Sequence, residues 1–177
     1  QNCTYNSLNF KTMPLAEVEY LFLNIRSKSI NNIISVKITD RYNSNIKHDL
    51  DVNLDEVTIR FKENQDNKIM LQDDIGVILR YPNIDSVKRV TSKDEDIGIA
   101  TFKECLVSIF DAENVNKIEI ISDKEVDEFV DSLSPKHIQK LDEFFNNVPR
   151  LHFEIQFINS RNENDSVTLE TFRDFFS

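Results

Sequence analysis

The sequence of 177 residues predicts an α+β fold in a single domain, residues 1–177, with an antiparallel β-meander and helices packed on it. Some segments repeat apolar residues every three or four positions, which is typical of amphipathic helices, and about five short helices are expected. Other segments alternate apolar and polar residues, which is typical of half-buried strands. A hydrophobic content of 40% beside 29% charged residues indicates a globular chain, long enough to bury a core.

The stretch 122–157 carries the most consistent folding signals. Ser122 and Glu125 have the spacing of a capping box, and Ser134-Pro135 ends the helix that follows and begins another. The apolar positions of these two helices are Val126, Phe129, Val130, Leu133, Ile138, Leu141, Phe144 and Phe145. The alternating residues after them predict a strand at Leu151, Phe153, Ile155 and Phe157.

The first half predicts one helix followed by the β-meander. Residues 1–12 are rich in asparagine and predict an extended N-terminal arm, and Pro14 begins a helix because its first turn needs no amide hydrogen. The predicted apolar face of that helix is Val18, Leu21, Phe22 and Ile25. The alternation after it predicts strands at 34–38, 46–54, 57–61, 69–71 and 75–81.

The remaining segments are less regular. Residues 83–96 are charged and lack a steady period, which favours a loop. Helical spacing then predicts a helix over 99–109, followed by a polar turn at 111–116 and a short strand or extended segment at 118–120. A turn is predicted at 159–165. We expect a last helix, Leu169 to Phe176, to dock on the domain rather than present its phenylalanines to a partner, because exposed apolar patches favour aggregation.

Charge, glycine and cysteine content argue against several function classes. A formal net charge of −10 repels phosphate backbones, so no nucleic-acid partner is expected. Gly76 and Gly98 are the only glycines, too few for a glycine-rich phosphate loop or a dinucleotide fingerprint. Cys3 and Cys105 do not suggest a disulfide framework. No run reaches the roughly 18 apolar residues of a membrane helix, so no membrane partner is expected either.

No catalytic residue, metal site or cofactor is predicted. His48, His137 and His152 lack the local spacing of metal ligands and are expected in surface or packing roles. Cys105 lies among apolar residues and is expected in the core rather than as a reactive thiolate.

Carboxylates leave one enzyme class open. A small hydrolase could use a pair of acids from the dense clusters Asp73-Asp74 and Asp94-Glu95-Asp96. Such a pair must be brought together by the fold in a cleft, at a defined separation. We therefore expect no enzyme activity, with a paired-carboxylate hydrolase as the alternative.

The helix after Ser122 has a strongly acidic outer side. A solvated face helped by acids near the helix start is the simpler interpretation. The functional alternative is a docking face for a basic partner, and Glu125, Glu128 and Asp131 are the candidate partner-binding residues.

Several short segments, in order along nearly the whole chain, support a family resemblance. They are Pro14-Leu15-Ala16-Glu17-Val18-Glu19-Tyr20-Leu21-Phe22, Leu79-Arg80-Tyr81-Pro82, Phe129-Val130-Asp131-Ser132-Leu133, Phe144-Phe145, Val148-Pro149 and Phe175-Phe176. With these segments the sequence resembles the baseplate hub assembly proteins of T-even-type contractile-tailed bacteriophages. None of the segments is a catalytic signature.

The resemblance implies a non-enzymatic assembly chaperone that binds hub subunits in the cytoplasm of the infected host cell. The partners it implies are other phage baseplate hub proteins, with self-association left open. A permanent structural subunit of the baseplate hub in the virion is the alternative, and the hydrolase is the third. Some similar proteins carry Cys-x-x-Cys pairs in turns that correspond to 39–43 and 159–162, where this chain has no cysteine, so no zinc site is predicted.

Overall fold

The computed structural model describes residues 9–63, 65–91 and 96–176. It contains α-helices and antiparallel strands, which confirms the α+β fold class. The helices are α1 (Leu15–Ser29), α2 (Ile84–Thr91), α3 (Ile97–Cys105), α4 (Asp123–Asp131), α5 (Pro135–Asn146) and α6 (Phe172–Phe176). The strands are β1 (Ile33–Thr39), β2 (Lys47–Asn53), β3 (Thr58–Arg60), β4 (Lys68–Met70), β5 (Gly76–Leu79), β6 (Leu106–Phe110), β7 (Val115–Lys117), β8 (Arg150–Ile158) and β9 (Asn164–Leu169).

The described residues pack into two compact units, each with its own hydrophobic core. Unit 1 lies within Gln1–Leu15 and Lys62–Val148, and unit 2 within Ala16–Phe61 and Pro149–Ser177. Unit 1 holds the four-stranded sheet β4-β5-β6-β7, whereas unit 2 holds the two-stranded sheet β1-β2 and the three-stranded sheet β3-β8-β9. That residues 1–177 behave as a single domain stays a prediction.

In unit 1, α4 and α5 begin where the sequence predicts. The Ser122 hydroxyl accepts a hydrogen bond from the Glu125 N–H (3.3 Å), and the Glu125 carboxylate accepts one from the Ser122 N–H (2.9 Å), so the predicted capping box is present. Ser134 caps α5 with His137 as its partner, and Pro135 opens the first turn. The core that these helices share with the sheet is Leu71, Val77, Leu79, Phe102, Leu106, Val126, Leu141 and Phe144.

One close approach within this sheet depends on a glycine. Gly76 in β5 pairs with Phe110 in β6. A Cβ atom at position 76 would meet the edge of the Phe110 ring and lie 2.5 Å from the Ile69 carbonyl oxygen. The Lys68 ammonium lies over the same Phe110 ring, 4.5 Å from its centroid. The position therefore has no room for a side chain unless the backbone moves.

The core of unit 2 joins helices and strands that are far apart in sequence. Leu23 of α1 and Phe175 of α6 are at most 2% exposed. The other members of this core are Ile34, Val36, Val52, Leu54, Val57, Leu151, Ile155 and Leu169. Its assembly therefore requires the C-terminal strands and α6 to pack with residues of the first third of the chain.

The predicted loop at 83–96 is wrong, because it contains α2. Asn83 is buried and caps this helix, with its Oδ1 accepting a hydrogen bond from the Ser86 N–H at 2.9 Å. An asparagine that precedes a helix satisfies a free amide, and the charge content of the segment concealed that signal. Residues 92–95 lie outside the described residues. Beyond them Asp96 caps α3 by accepting hydrogen bonds from the N–H groups of Gly98 and Ile99.

The predicted helix over 99–109 is wrong beyond Cys105, where the chain turns into β6. The two elements after β6 also differ from the predicted ones, and the side chain of Asp111 explains why. Its Oδ1 accepts hydrogen bonds from the N–H groups of Glu113 and Asn114, each at 2.8 Å, and so closes a tight turn. The strand β7 therefore begins at Val115, inside the predicted polar turn, and the predicted strand 118–120 is a 3-10 turn instead.

The strands of unit 2 differ from the predicted order. The predicted turn at 159–165 ends earlier, because Asn162 adopts a left-handed conformation (φ 61°) and the chain returns as β9. The first-half meander is interrupted, since β3 pairs with β8 of the C-terminal segment. Strand pairing over such sequence distances leaves no local signal.

The two ends of the chain also differ from the expectation. On α1 the buried residues are Ala16, Leu23 and Ser27, whereas Phe22, predicted on the apolar face, is 51% exposed. The last helix begins at Phe172 rather than Leu169; it docks through Phe175, as predicted, whereas Phe176 is 40% exposed. Residues 1–8 of the predicted arm, with Cys3, lie outside the described residues, and the Thr12 N–H donates to the Asn9 carbonyl in a turn.

Candidate partner-binding surfaces

The three predicted partner-binding residues all lie exposed on α4 of unit 1, but they are not equivalent. Glu125 is part of the capping box, and its hydrogen bonds with Ser122 hold the pKa of its carboxyl below the usual range. Glu128 lies 3.4 Å from Lys124, one turn earlier on the same helix. Asp131 is exposed at the end of α4.

The capping role has a consequence for the acidic face. Charge reversal at Glu125 would remove a helix cap as well as a surface charge, so a loss of binding could not be assigned to charge alone. Asp127 on the same helix is engaged with Lys103 at 2.7 Å. Glu128 and Asp131 are therefore the cleaner positions for testing this face, which stays a predicted binding surface.

Unit 2 presents an aromatic patch that the sequence did not predict. We define the aromatic patch as Phe22 and Arg26 of α1 with Phe172 and Phe176 of α6. Phe22 lies edge-on to Phe172, with ring centroids 5.1 Å apart, and Phe172 lies 4.7 Å from Phe176. The Arg26 guanidinium lies over the Phe176 ring, 5.5 Å from its centroid.

The patch is exposed although its rings contact one another. Phe22 is 51% and Phe176 40% exposed, while the neighbouring residues Leu23 and Phe175 turn inward to the core. Adjacent residues on a helix point about 100° apart, so the chain places one member of each pair in the core and the other outside. Large exposed aromatic residues that cluster, rather than scatter singly, are typical of interaction sites.

Beside the start of α6, Glu19 completes the surroundings of the patch. Burial raises the pKa of the Glu19 carboxyl, against a hydrogen bond from the Phe172 backbone that lowers it. The negative charge of Asp174 raises the pKa further. The carboxyl groups of Glu19 and Asp174 therefore both lie near the start of α6, beside Phe172 of the patch.

Unit 1 has a surface pocket of about 330 Å³. Its apolar walls come from the β4–β5 turn, β6 and the end of α4: Leu71, Ile75, Ile109, Phe110, Phe129 and Leu133. Its polar lining residues are Gln72, Asp111, Asn116, Ser132 and His137. An apolar pocket with a few polar groups at its rim can receive one large side chain of a partner.

Two turns of unit 2 meet at Asp40, the turn after β1 and the turn between β8 and β9. The carboxylate of Asp40 is fully buried and accepts hydrogen bonds from the Ser160 N–H (2.7 Å) and hydroxyl (2.8 Å) across the two turns. Within its own turn it accepts from the Tyr42 N–H at 2.8 Å. His48 Nε2 lies 3.0 Å away and donates, because an ionised carboxylate can only accept.

Replacing Asp40 with asparagine is expected to lower the melting temperature at pH 7 and to flatten its decline in acid. Its hydrogen bonds, that of His48 first, hold the pKa of Asp40 far below the usual range. An unfolded aspartate titrates near pH ~3.9. A depressed folded pKa gives stability that is complete above the unfolded pKa and is lost as the pH falls below it.

The difference in melting temperature between wild type and Asp40→Asn should therefore be largest above about pH 5 and shrink below about pH 4. Calorimetry across that range measures it directly. A difference that is the same at both ends of the range would show that the Asp40 charge does not stabilise the fold.

The cysteine and the histidines considered for catalysis or metal binding lie in the core, in a helix cap or in a strand. Cys105 is fully buried, and burial raises the pKa of its thiol to about 11. His137 caps α5, and His152 is half-buried in β8. Among the described residues, no group of three or more His, Cys, Asp or Glu side chains could hold a metal ion.

Of the two dense acidic clusters, the structure describes Asp73, Asp74 and Asp96. Asp73 and Asp74 lie exposed in the turn between β4 and β5. Asp96 is engaged as the cap of α3, and Asp94 and Glu95 lie outside the described residues. A paired-carboxylate site gains no support from this placement.

A family model described as T4 bacteriophage base plate protein matches residues 1–177, the whole chain. No curated protein and no solved structure matches. In the part of the chain that the structure describes, no helix is long and apolar enough to cross a membrane.

Proposed function

The chain belongs to the T4 bacteriophage base plate protein family and has a role in the phage baseplate, and on this premise we propose that it is a non-enzymatic assembly chaperone of the baseplate hub. It binds hub subunits through apolar contact during tail assembly in the host cytoplasm. It keeps them soluble and in register, and it changes no covalent bond. The hub as its target follows from the resemblance of its sequence to hub assembly proteins.

The aromatic patch is the observation that supports one part of the proposal, the binding of another protein through apolar contact. Phe22 and Phe176 together leave two half-exposed rings side by side, with Arg26 stacked on one of them. Aromatic residues and arginine are the side chains that dominate binding energy at protein interfaces. A hub subunit that covers the patch would bury both rings and extend the cation–π contact.

A permanent structural subunit of the baseplate hub would use the same patch. The two roles differ in what happens after assembly, because a chaperone leaves and a subunit stays. The chaperone is favoured by the resemblance alone, so composition of the finished particle separates the two roles.

Replacing both Phe22 and Phe176 with serine is expected to weaken binding of hub subunits by about 30-fold or more, since interface hot spots contribute about 2 kcal/mol or more. The melting temperature should change little, because both rings are already half exposed. Co-expression with each hub subunit, followed by affinity measurement on the purified complex, gives the number.

Phe61→Ser is the matched control, since Phe61 is 64% exposed in the same unit and, among the described rings, has no contact with the patch. This control should bind like wild type. Equal affinity of the double variant and wild type would exclude the patch as the binding surface. The chaperone role itself would be excluded if none of the hub subunits formed a complex with the protein and deletion of its gene left hub assembly unaffected.

A further inference from the structure

Strand β7 is an open edge of the four-stranded sheet in unit 1. The Asp111 N–H donates to the Asn114 carbonyl, and Asn116 pairs with Ile109, so these positions direct their backbone groups towards β6. Hydrogen-bonded positions alternate along an antiparallel pair. The N–H and C=O groups of Val115 and the N–H of Lys117 therefore point away from β6, whereas the Lys117 carbonyl, as the N-cap of the 3-10 turn Ile118–Ile120, accepts the first hydrogen bond of that turn.

The opposite edge of the same sheet is covered. Lys140 of α5 donates from its ammonium to the carbonyl oxygens of Met70 (2.6 Å) and Leu71 (3.0 Å) at β4. Lysine on an edge is one of the ways in which proteins block pairing with another chain. The two edges thus differ, and β7 is the one whose outward backbone groups are open.

The open edge adjoins the pocket of unit 1. Asn116, the middle residue of β7, lines that pocket together with Ile109 of β6. A strand added beside β7 would lie about 4.8 Å away, and its side chain on the Asn116 face could reach over into the pocket. Val115 and Ile120, which are 63% and 76% exposed, add apolar surface along the edge.

The charge around this site selects the occupant. Because Gly76 pairs with Phe110, the β4–β5 and β6–β7 turns lie at the same end of the sheet. Those turns carry the exposed acids Asp73, Asp74, Asp111 and Glu113, and Asp131 precedes the pocket residue Ser132. Lys68, Lys117, Lys136 and Lys140 lie elsewhere around the pocket, but neither turn contains a basic residue, so the rim is acidic at the turn end of the sheet. A second copy of this acidic chain would be repelled, whereas a basic segment would be attracted.

We propose that β7 and the adjoining pocket form a docking site for an extended, Lys/Arg-rich segment of a partner protein. The segment pairs with β7 through the outward N–H and C=O of Val115 and the outward N–H of Lys117, and it inserts one large apolar side chain into the pocket. Main-chain hydrogen bonds then supply affinity, while the pocket and the acidic rim select the sequence. The site belongs to unit 1 and does not rest on the hub chaperone role.

Selection from a display library of random twelve-residue peptides on the immobilised full chain tests this site. Enriched peptides are expected to alternate Lys or Arg with apolar residues, and one of them, made synthetically, should slow amide exchange at Val115 and Lys117. Val115→Pro removes an outward N–H but no ladder bond, so it should reduce peptide affinity at least tenfold while the protein stays folded.

Asp74→Lys and Asp142→Lys form a matched pair of exposed acids in unit 1, of which only Asp74 lies in the rim. We expect Asp74→Lys to weaken the same peptide several-fold and to reduce its salt dependence, with Asp142→Lys close to wild type. If Val115→Pro unfolds the protein, the comparison of Asp74→Lys with Asp142→Lys and the amide-exchange measurement still test the docking site.

Several results would overturn the proposal: no enrichment, enrichment of acidic peptides, equal binding to Asp74→Lys and Asp142→Lys, or unchanged exchange at Val115 and Lys117. A dimer of the full chain that Val115→Pro dissociates would assign the edge to a second copy instead, and would also overturn it. None of these results bears on hub binding through the aromatic patch, which is measured with Phe22 and Phe176.

Discussion

Replacing Phe175 with alanine is expected to lower the free energy of unfolding by about 3–5 kcal/mol, as for other buried phenylalanines. The ring is 2% exposed and belongs to the same core as Leu23, Leu151 and Leu169. Its loss leaves a cavity between elements from both ends of the unit 2 sequence, and rigid neighbours close such a cavity only partly. Chemical denaturation measures the change directly.

The adjacent residue supplies the control. Phe176→Ala removes a side chain of the same size and type that is 40% exposed, so its effect on stability should be well below that of Phe175→Ala. The same variant should weaken hub binding, which Phe175→Ala affects only through loss of folded protein. Equal destabilisation by the two variants would mean that α6 does not dock with Phe175 inward.

The second large effect is expected at Gly76. Gly76→Ala should destabilise the protein by about 3 kcal/mol, at the upper end of the range for overpacked sites. The new methyl group would lie 2.5 Å from the Ile69 carbonyl oxygen, and this neighbour is backbone that cannot rotate away. The Phe110 ring, which could move, would lose its place against β5 and its contact with Lys68.

Gly98→Ala is the control for this substitution. A Cβ at Gly98 would meet only the Oδ1 of Asp96, at 3.1 Å, and alanine favours a helix over glycine by about 1 kcal/mol. The tight contact and the gain in helix propensity oppose each other, so we expect the free energy of unfolding of Gly98→Ala to be close to that of the wild type. A Gly76→Ala variant as stable as Gly98→Ala would show that β5 and β6 can separate at this point without loss of the sheet.

The sequence predicted best where folding signals are local. The capping box at Ser122, the helix start at Ser134-Pro135 and the alternation after Arg150 involve residues at most a few positions apart, and all of them form as expected. Propensity and capping act over one or two turns, so a single sequence contains all the information that they need.

It predicted worst where the partner is distant or the signal short. Strand β3 is paired by β8, and no pattern near β3 indicates that. The segment 106–110 has apolar residues at spacings that fit either a helix or a strand, and only its place between β5 and β7 decides. Strand β7 is three residues long, which is too short for any periodicity.

The candidate surfaces follow the same division. The acidic side of α4 could be predicted because charge is visible in sequence. The aromatic patch could not be predicted from the sequence. Phe22 and Leu23 are adjacent apolar residues of α1, and helical spacing allows either of them to lie on the buried face. Which of the two enters the core depends on where α6 packs, and that is a tertiary contact. The sequence offers one hint of such a patch: α1 has more apolar residues than one helix face can bury.

Quantitative mass spectrometry of purified virions, beside hub assembly intermediates isolated from infected cells, tests the chaperone role most directly. With the chaperone role, we expect the protein to be bound in the intermediates and absent, or far below one copy per hub, in the finished virion. A fixed, stoichiometric copy number in the virion would contradict it and identify the chain as a permanent subunit of the baseplate.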